Sequence, residues 1–266
     1  MQKAINRALR KSERSLCLRL PVIDYSIALD LQHRLVEARH SGIIDKDVIL
    51  ILEHPDVFTL GRRGGLENLT VSETFLKRLE IRVIQTKRGG NITFHGPGQL
   101  ICYPVIDLKA AGFKVVDFVE GLEEIMLQLA ADWGIDARRN QKNRGVWIGN
   151  SKLGSIGIAI RRGISFHGFA FNVNMSLLPF NWINPCGIKD IGITTMEREL
   201  GQKVPMHEVA EHLNKHIRAV FNLDLVMTSL PSLLNLLTVY PKVDGHCSTE
   251  NIFPGTLNDY RSSERD

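Results

Sequence analysis

The sequence predicts an α+β fold: a single domain with a mixed, largely antiparallel β-sheet flanked by helices. Three observations carry this. Over 116–133, Phe118, Leu122, Ile125, Leu129 and Trp133 recur at helical spacing. Three strand-like runs, at 145–148, 154–160 and 164–173, then follow with no helix between them. Nowhere do strand and helix alternate with the regular rhythm of a parallel α/β sheet.

The elements can be read in order. Asp24 is a helix cap before Ile27, Leu31, Leu35 and Ala38, which share one face of a helix ending near Gly42. Val48-Ile-Leu-Ile-Leu52 is a short apolar run, best read as a buried strand. The stretch 58–65, Phe-Thr-Leu-Gly-Arg-Arg-Gly-Gly, reads as a loop. A strand is expected at 81–85 and another at 100–106, the latter pushed toward a sheet edge by Pro104. Gly134 stops the helix over 116–133. A last helix starts after Pro205, with Val209, Leu213, Ile217 and Phe221 turned inward. After about Leu230 the pattern fades. The expected division is a basic N-terminal extension over 1–18, a folded domain over 19–230 and a polar tail over 231–266.

Composition narrows the function. The 266 residues are 44% hydrophobic and 23% charged, with net charge +4. That is ordinary globular composition, long enough for a real core. No apolar run reaches the roughly 18 residues of a membrane helix. Part of the positive charge lies in Lys3, Arg7, Arg10, Lys11 and Arg14. No apolar segment follows them, so a secretory signal is not expected; a frayed basic terminus and an organellar transit peptide are the two readings. Cys17, Cys102, Cys186 and Cys247 are scattered without a CxxC pair, which argues against structural zinc and a disulfide framework. Cys17 and Cys102 read as core residues and Cys247 as incidental. Glu53-His54 starts no HExxH motif, so no metal is expected. The mild charge, with no interleaved basic and aromatic clusters, leaves a nucleic-acid-binding module poorly supported.

Three stretches carry chemistry. Arg88-Gly-Gly-Asn-Ile-Thr-Phe-His-Gly-Pro-Gly-Gln-Leu100 is glycine-rich, yet fits neither a P-loop nor a dinucleotide fingerprint. It reads as a strand-flanked loop whose backbone approaches something slender, with Arg88 as a cation at its mouth. Thr93-Phe-His-Gly96 is echoed by Ser165-Phe-His-Gly168, each with an upstream arginine, Arg88 or Arg162. Two such segments fit opposite walls of one pocket; chance similarity between β-edge segments is the alternative. In Asn184-Pro-Cys-Gly187, Cys186 lies in a tight turn and is a nucleophile candidate. A nearby cation lowers a thiol's pKa from about 8.5, and Lys152, before Leu153-Gly-Ser-Ile-Gly157, is a candidate partner. An inert buried cysteine is the other reading. His95 or His167 would make a Cys–His dyad, although strand histidines more often have structural roles. Arg62, Arg63, Arg161 and Arg162 are either solvated charge or a surface for an acidic partner.

Taken together, these motifs resemble the lipoyl(octanoyl) transferases, within the biotin/lipoate protein ligase catalytic-domain superfamily. The resemblance covers residues 25–221. It rests on Glu53-His-Pro, Thr59-Leu-Gly-Arg62, Arg88-Gly-Gly, Thr93-Phe-His-Gly-Pro-Gly-Gln-Leu100, Tyr103-Pro, Gly145-Val-Trp147, Lys152, Ser155-Ile-Gly157, His167-Gly168, Asn172-Val173 and Pro185-Cys-Gly187, in that order. Asn91 and Phe94 depart from the family's usual residues. The resemblance implies a biotin/lipoate ligase-like fold and makes 19–230 the octanoyltransferase catalytic domain. It implies Cys186 and Lys152 as the catalytic pair. It implies an acyl substrate surrounded by Arg88, Gly89, Gly90 and Asn91, then Ile92, Thr93, Phe94 and His95, with Ser155, Ile156 and Gly157 and with Gly168, Phe169 and Ala170.

The implied reaction moves an octanoyl group from octanoyl-acyl carrier protein to a lysine of an apo lipoyl domain through a Cys186 thioester, the first step of endogenous lipoate synthesis. The implied acceptors are the lipoyl domains of 2-oxoacid dehydrogenase E2 subunits and the glycine cleavage H protein. No cofactor, nucleic acid or membrane is implied. The expected location is the cytoplasm, with the mitochondrial matrix as the alternative. The rival activity is an ATP-dependent lipoate or octanoate protein ligase of the same superfamily, which needs no nucleophilic cysteine.

Overall fold

The structure, a computed structural model, describes residues 14–140, 143–184 and 192–238. The chain runs β1 (Arg14–Val22), α1 (Tyr25–His40), β2 (Val48–Glu53), β3 (Val57–Leu60), α2 (Glu73–Arg78), β4 (Arg82–Gln85), β5 (Ile92–His95), β6 (Gln99–Val105) and α3 (Val115–Ala131). It continues with β7 (Arg138–Arg139), β8 (Val146–Ile148), β9 (Ser151–Arg161), β10 (Ile164–Asn172), β11 (Gly192–Ile193), α4 (Met196–Leu200), α5 (Met206–Phe221), β12 (Asp224–Met227) and α6 (Leu230–Thr238).

The main sheet has the order β12-β1-β2-β6-β10-β9-β8-β7, with β11 added beside β9. β12, β1 and β2 are mutually parallel and β11 is parallel to β9; the pairings from β2 through to β7 are antiparallel. The sheet is therefore mixed, as expected. A small second sheet has the order β4-β3-β5.

Alternation along β2 explains its unbroken apolar run. Ile49 and Ile51 face a core formed with Phe118, Leu122 and Ile125 of α3 and with Leu213 and Ile217 of α5. Leu50 and Leu52 face the opposite core, with Ala28, Leu31 and Leu35 of α1 and Leu233 of α6. A strand with helices on both sides has no polar face to show. Asp24 caps α1 as expected, its carboxylate accepting from the backbone N–H groups of Ser26 and Ile27.

Four expectations change. The stretch read as a loop from Phe58 contains β3, because Phe58 and Leu60 pack with Ile92 and Phe94 in a satellite core. Among the described residues, packed structure is present from Arg14 onward, inside the extension expected over 1–18, since Leu16, Cys17 and Leu18 are all buried beside β2. It also reaches into 231–266, where α6 buries Leu233. Finally, β6 is an interior strand despite Pro104. The β6–β10 ladder stops at the Cys102–Phe169 pair and returns at the Asp107–Ile164 bridge. In that gap Gln32 Oε1 accepts from the His167 backbone N–H (2.7 Å), and Ser165 Oγ donates to the Pro104 carbonyl (2.7 Å). Side chains thus replace the bonds that a proline cannot complete.

Candidate functional site

The gap in the ladder lies on the wall of a cleft of about 610 Å³, within the usual size of a small-molecule site. Its walls come from the glycine-rich loop, β9, β10, the start of α3 at Val115 and Val119, and the segment holding Asn143 and Arg144.

Arg88 organises the loop. It is buried, donating from Nε and Nη2 to Thr59 Oγ1 (3.1 and 2.8 Å), from Nη2 to the Thr59 carbonyl (2.6 Å) and from Nη1 to the Gly89 carbonyl (3.0 Å). The guanidinium therefore pins the loop to β3 instead of standing at a mouth. Gly89 N–H then bonds the Ile158 carbonyl (2.8 Å), tying the small sheet to β9. At Gly157 a methyl group would meet the Gly89 carbonyl at 3.0 Å and Arg88 Cδ at 3.1 Å. Part of what passes close to this bare backbone is the protein's own chain.

Of the residues expected around the substrate, Arg88, Gly89, Gly90, Asn91, Ile92, Thr93, His95, Ser155, Ile156, Gly157, Gly168, Phe169 and Ala170 all line the cleft. Phe94 does not. Strand alternation turns it away, into contact with Phe58 and Phe180 at ring distances of 5.1 and 5.7 Å. The two echoed segments meet, since His95 and His167 both line the cleft. Their upstream arginines differ: Arg162 pairs with Glu37 at the surface (2.7 Å), as does Arg161 (2.8 Å). Arg62 and Arg63 are exposed and border the cleft.

Lys152 enters the cleft from β9 and is 2% exposed. Its Nζ donates to Asn143 Oδ1 (3.1 Å) and lies 4.8 Å from the centre of the Trp147 ring. Cys186, with Pro185 and Gly187, lies outside the described residues. The described chain resumes in β11, where Ile193 pairs with Lys152 and Thr194 N–H bonds the Lys152 carbonyl (3.1 Å). Cys17 and Cys102 are buried, and burial pushes the Cys17 thiol up to about 11 and the Cys102 thiol well above its usual value. Neither is a nucleophile at neutral pH.

Sequence reasoning missed several contributors. Tyr25 and Tyr103 line the cleft, and Asn143 holds Lys152. Glu123 of α3 is 1% exposed and receives Arg144 Nη1 (3.0 Å) and Gly145 N–H (2.9 Å), fixing the segment that carries Asn143. A carboxylate between Leu122 and Ile125 was the available signal; Asn143, in a polar run, offered none.

His54, His95 and His167 form a buried polar layer behind the glycine loop. His54 bonds the Ile23 carbonyl (2.7 Å) and Tyr103 Oη (2.8 Å), and His95 bonds Gln99 Oε1 (2.8 Å) and Thr59 Oγ1 (3.3 Å). His167 Nδ1 lies 3.5 Å from Tyr25 Oη, and its buried Nε2 has no partner among the described residues. Burial drives His54 down to about 4 and His167 to about 3, and holds His95 well below the usual range. The three are neutral at pH 7. Unfolded histidines take up protons near pH 6.5, so the unfolded state binds more protons below that pH and stability falls with it. The unfolding free energy is expected to drop between pH 7 and pH 5, by on the order of 1–2 kcal/mol per histidine, and the urea midpoint with it. A midpoint that stays level, or a slope unchanged in His54→Gln, would count against this.

Comparison with known proteins agrees with this geometry. Residues 24–218 match the model of the lipoyl protein ligase A/B catalytic domain. An octanoyltransferase of Desulfotalea psychrophila is 45% identical over 216 residues, spanning 80% of this chain and 97% of that one. An octanoyltransferase of Caldicellulosiruptor bescii is 41% identical over 219 residues, spanning 82% and 96%. Among solved structures, a lipoate-protein ligase A bound with ATP superposes with a TM-score of 0.67 at 17% identity, over 85% of this chain and 92% of that one. A bipartite lipoate protein ligase from Thermoplasma acidophilum gives 0.65 at 16% identity, over 84% and 90%. Likeness at that identity speaks for the fold.

Proposed function

Since the chain belongs to the lipoyl protein ligase A/B catalytic-domain family, we propose that Cys186 carries the acyl group in the octanoyl transfer it performs. Octanoyl transfer in lipoate biosynthesis is the activity of its relatives and of this chain. Its partners are an acyl donor and a lipoyl-domain acceptor. The donor we propose is octanoyl-acyl carrier protein. The acceptors are apo lipoyl domains of 2-oxoacid dehydrogenase E2 subunits and the glycine cleavage H protein, met in the cytoplasm. Arg62 and Arg63, exposed at the cleft border, suit an acidic carrier, and that attraction weakens with salt.

The observation that carries the mechanism is the position of Lys152. Its side chain, an ammonium in this proposal, is buried in an apolar-walled cleft, and its backbone pairs with β11, the strand that begins six residues after Cys186. The Cys186 thiolate, stabilised by that ammonium, attacks the thioester carbonyl. The C–S bond to the carrier breaks, its thiolate leaves with the proton of the Lys152 ammonium, and an octanoyl-cysteine beside a neutral Lys152 amine remains. The acceptor lysine's neutral ε-amine then attacks the new thioester. Lys152 takes the amine's proton as the amide forms and Cys186 leaves as thiolate. Backbone N–H groups of the glycine-lined walls are suited to the transient oxyanion. Methylenes of the acyl chain buried against Ile92, Ile156 and Phe169 contribute about 0.8 kcal/mol each. Thioester energy drives both steps, so ATP is not consumed.

Intact-protein mass spectrometry after brief mixing with octanoyl-acyl carrier protein, without ATP, tests this. One octanoyl adduct is expected on the wild type, absent from Cys186→Ser and discharged by an apo lipoyl domain. An unmodified wild type that octanoylates the domain from free octanoate and ATP would establish the ligase activity instead.

A further inference from the structure

We propose that Asp132, His212 and His216 form a zinc-type divalent metal site clasping the end of α3 to α5. The sequence reading, which finds no metal motif after Glu53-His54, expects no metal; these three residues are brought together only by the packing of two distant helices. His212 and His216 lie four residues apart on α5, and so share one face. Asp132 is the C-cap of α3. Its Oδ2 sits 2.6 Å from His212 Nδ1 and 2.5 Å from His216 Nε2, and the three ligating atoms lie within 4.8 Å of one another. Among the described residues no other cluster of three such side chains occurs.

The donor set suits the assignment. Two imidazole nitrogens and one carboxylate oxygen are ligands that zinc and its first-row neighbours accept at about 2.0–2.2 Å. Coordination needs the carboxylate oxygen slightly further from both nitrogens than it stands, and the His212 side chain, 42% exposed, has the freedom to move. His216 is fixed more firmly at 8% exposure, and the Trp133 ring packs against His212 at 4.7 Å. The partly exposed side of Asp132 leaves a coordination position for water. Electrostatics favour a cation here too. Asp132 sits at the negative end of the α3 dipole, where a lone carboxylate is disfavoured. The trio does not line the cleft, so the site is structural, steadying the helix whose other end supplies Val115 and Val119 to the cleft wall.

Zinc and cobalt(II) titrations of chelator-stripped full-length protein test this. One equivalent should bind with micromolar or tighter affinity. Zinc at a hundredfold excess over Kd should raise Tm by about 5 °C. Cobalt should give the visible absorption of a low-symmetry site. His212→Ala, at a half-buried position, should keep the fold and lose both responses, and Asp132→Asn should do the same. Octanoyl transfer by stripped protein should persist at ambient temperature. Binding that survives His212→Ala would mean metal held elsewhere, such as at His246 or Cys247, and would overturn the assignment. So would the absence of any Tm or absorption response at millimolar metal, which would leave the trio as a hydrogen-bonded cluster alone.

Discussion

Lys152→Ala is expected to lower kcat for octanoyl transfer by a factor of about 10³, within the usual range for a positioned acid–base group, while leaving the protein folded. The side chain is buried in the cleft wall, with its Nζ directed to Asn143. Removing a buried ammonium relieves a desolvation cost while it leaves a cavity, so the net change in stability is small. The chemistry loses twice, first in the stabilised thiolate and then in the group that takes the amine proton. Lys152→Arg should fail nearly as badly. A guanidinium stays protonated at any working pH and so cannot take the amine's proton as a lysine amine can. Alkylation of Cys186 by iodoacetamide separates this from a merely structural effect. Its pH profile should move upward by about one unit or more in Lys152→Ala. An unchanged profile together with wild-type turnover would remove Lys152 from the mechanism.

What sequence could and could not reveal follows from the range of each interaction. Local periodicity carries most elements: α3 and α5 lie within a residue or two of their expected bounds, with Phe118, Leu122, Leu213 and Ile217 buried as read. The cleft residues were legible from the motif resemblance, and the echo around His95 and His167 did mark two walls of one pocket. Errors arose where a residue's role is set by a distant partner. Pro104 is tolerated in an interior strand because Gln32 and Ser165 take over the backbone bonds opposite it. Arg88 is internal because Thr59 waits for it on β3. Phe94 faces the satellite core because the pleat of β5 is fixed by pairing with β3. Glu123 and Asn143 reach Lys152 through a relay of bonds that no spacing encodes.

The glycines divide the same way, and Gly168→Ala carries the largest expected effect on stability. A methyl group there would lie 2.0 Å from the Cys102 carbonyl oxygen and 2.7 Å from Pro104 Cδ. Both belong to β6, an interior strand held on its other side by β2, so neither can retreat. Overpacking against fixed backbone is expected to cost about 3 kcal/mol or more, seen as a Tm drop of several degrees and loss of soluble protein. Gly89→Ala is the opposite case. Its backbone lies outside the left-handed region, and the nearest atom to an added methyl is the Ile158 carbonyl oxygen at 3.5 Å, an ordinary contact. It should melt within about a degree of the wild type. Because Gly89 lines the cleft, the methyl should instead crowd the acyl chain and raise KM for the octanoyl donor about tenfold, roughly 1.4 kcal/mol of binding. On these expectations bare backbone at Gly168 serves the sheet, and at Gly89 the proposed acyl site. Equal losses of Tm in the two variants would contradict that division.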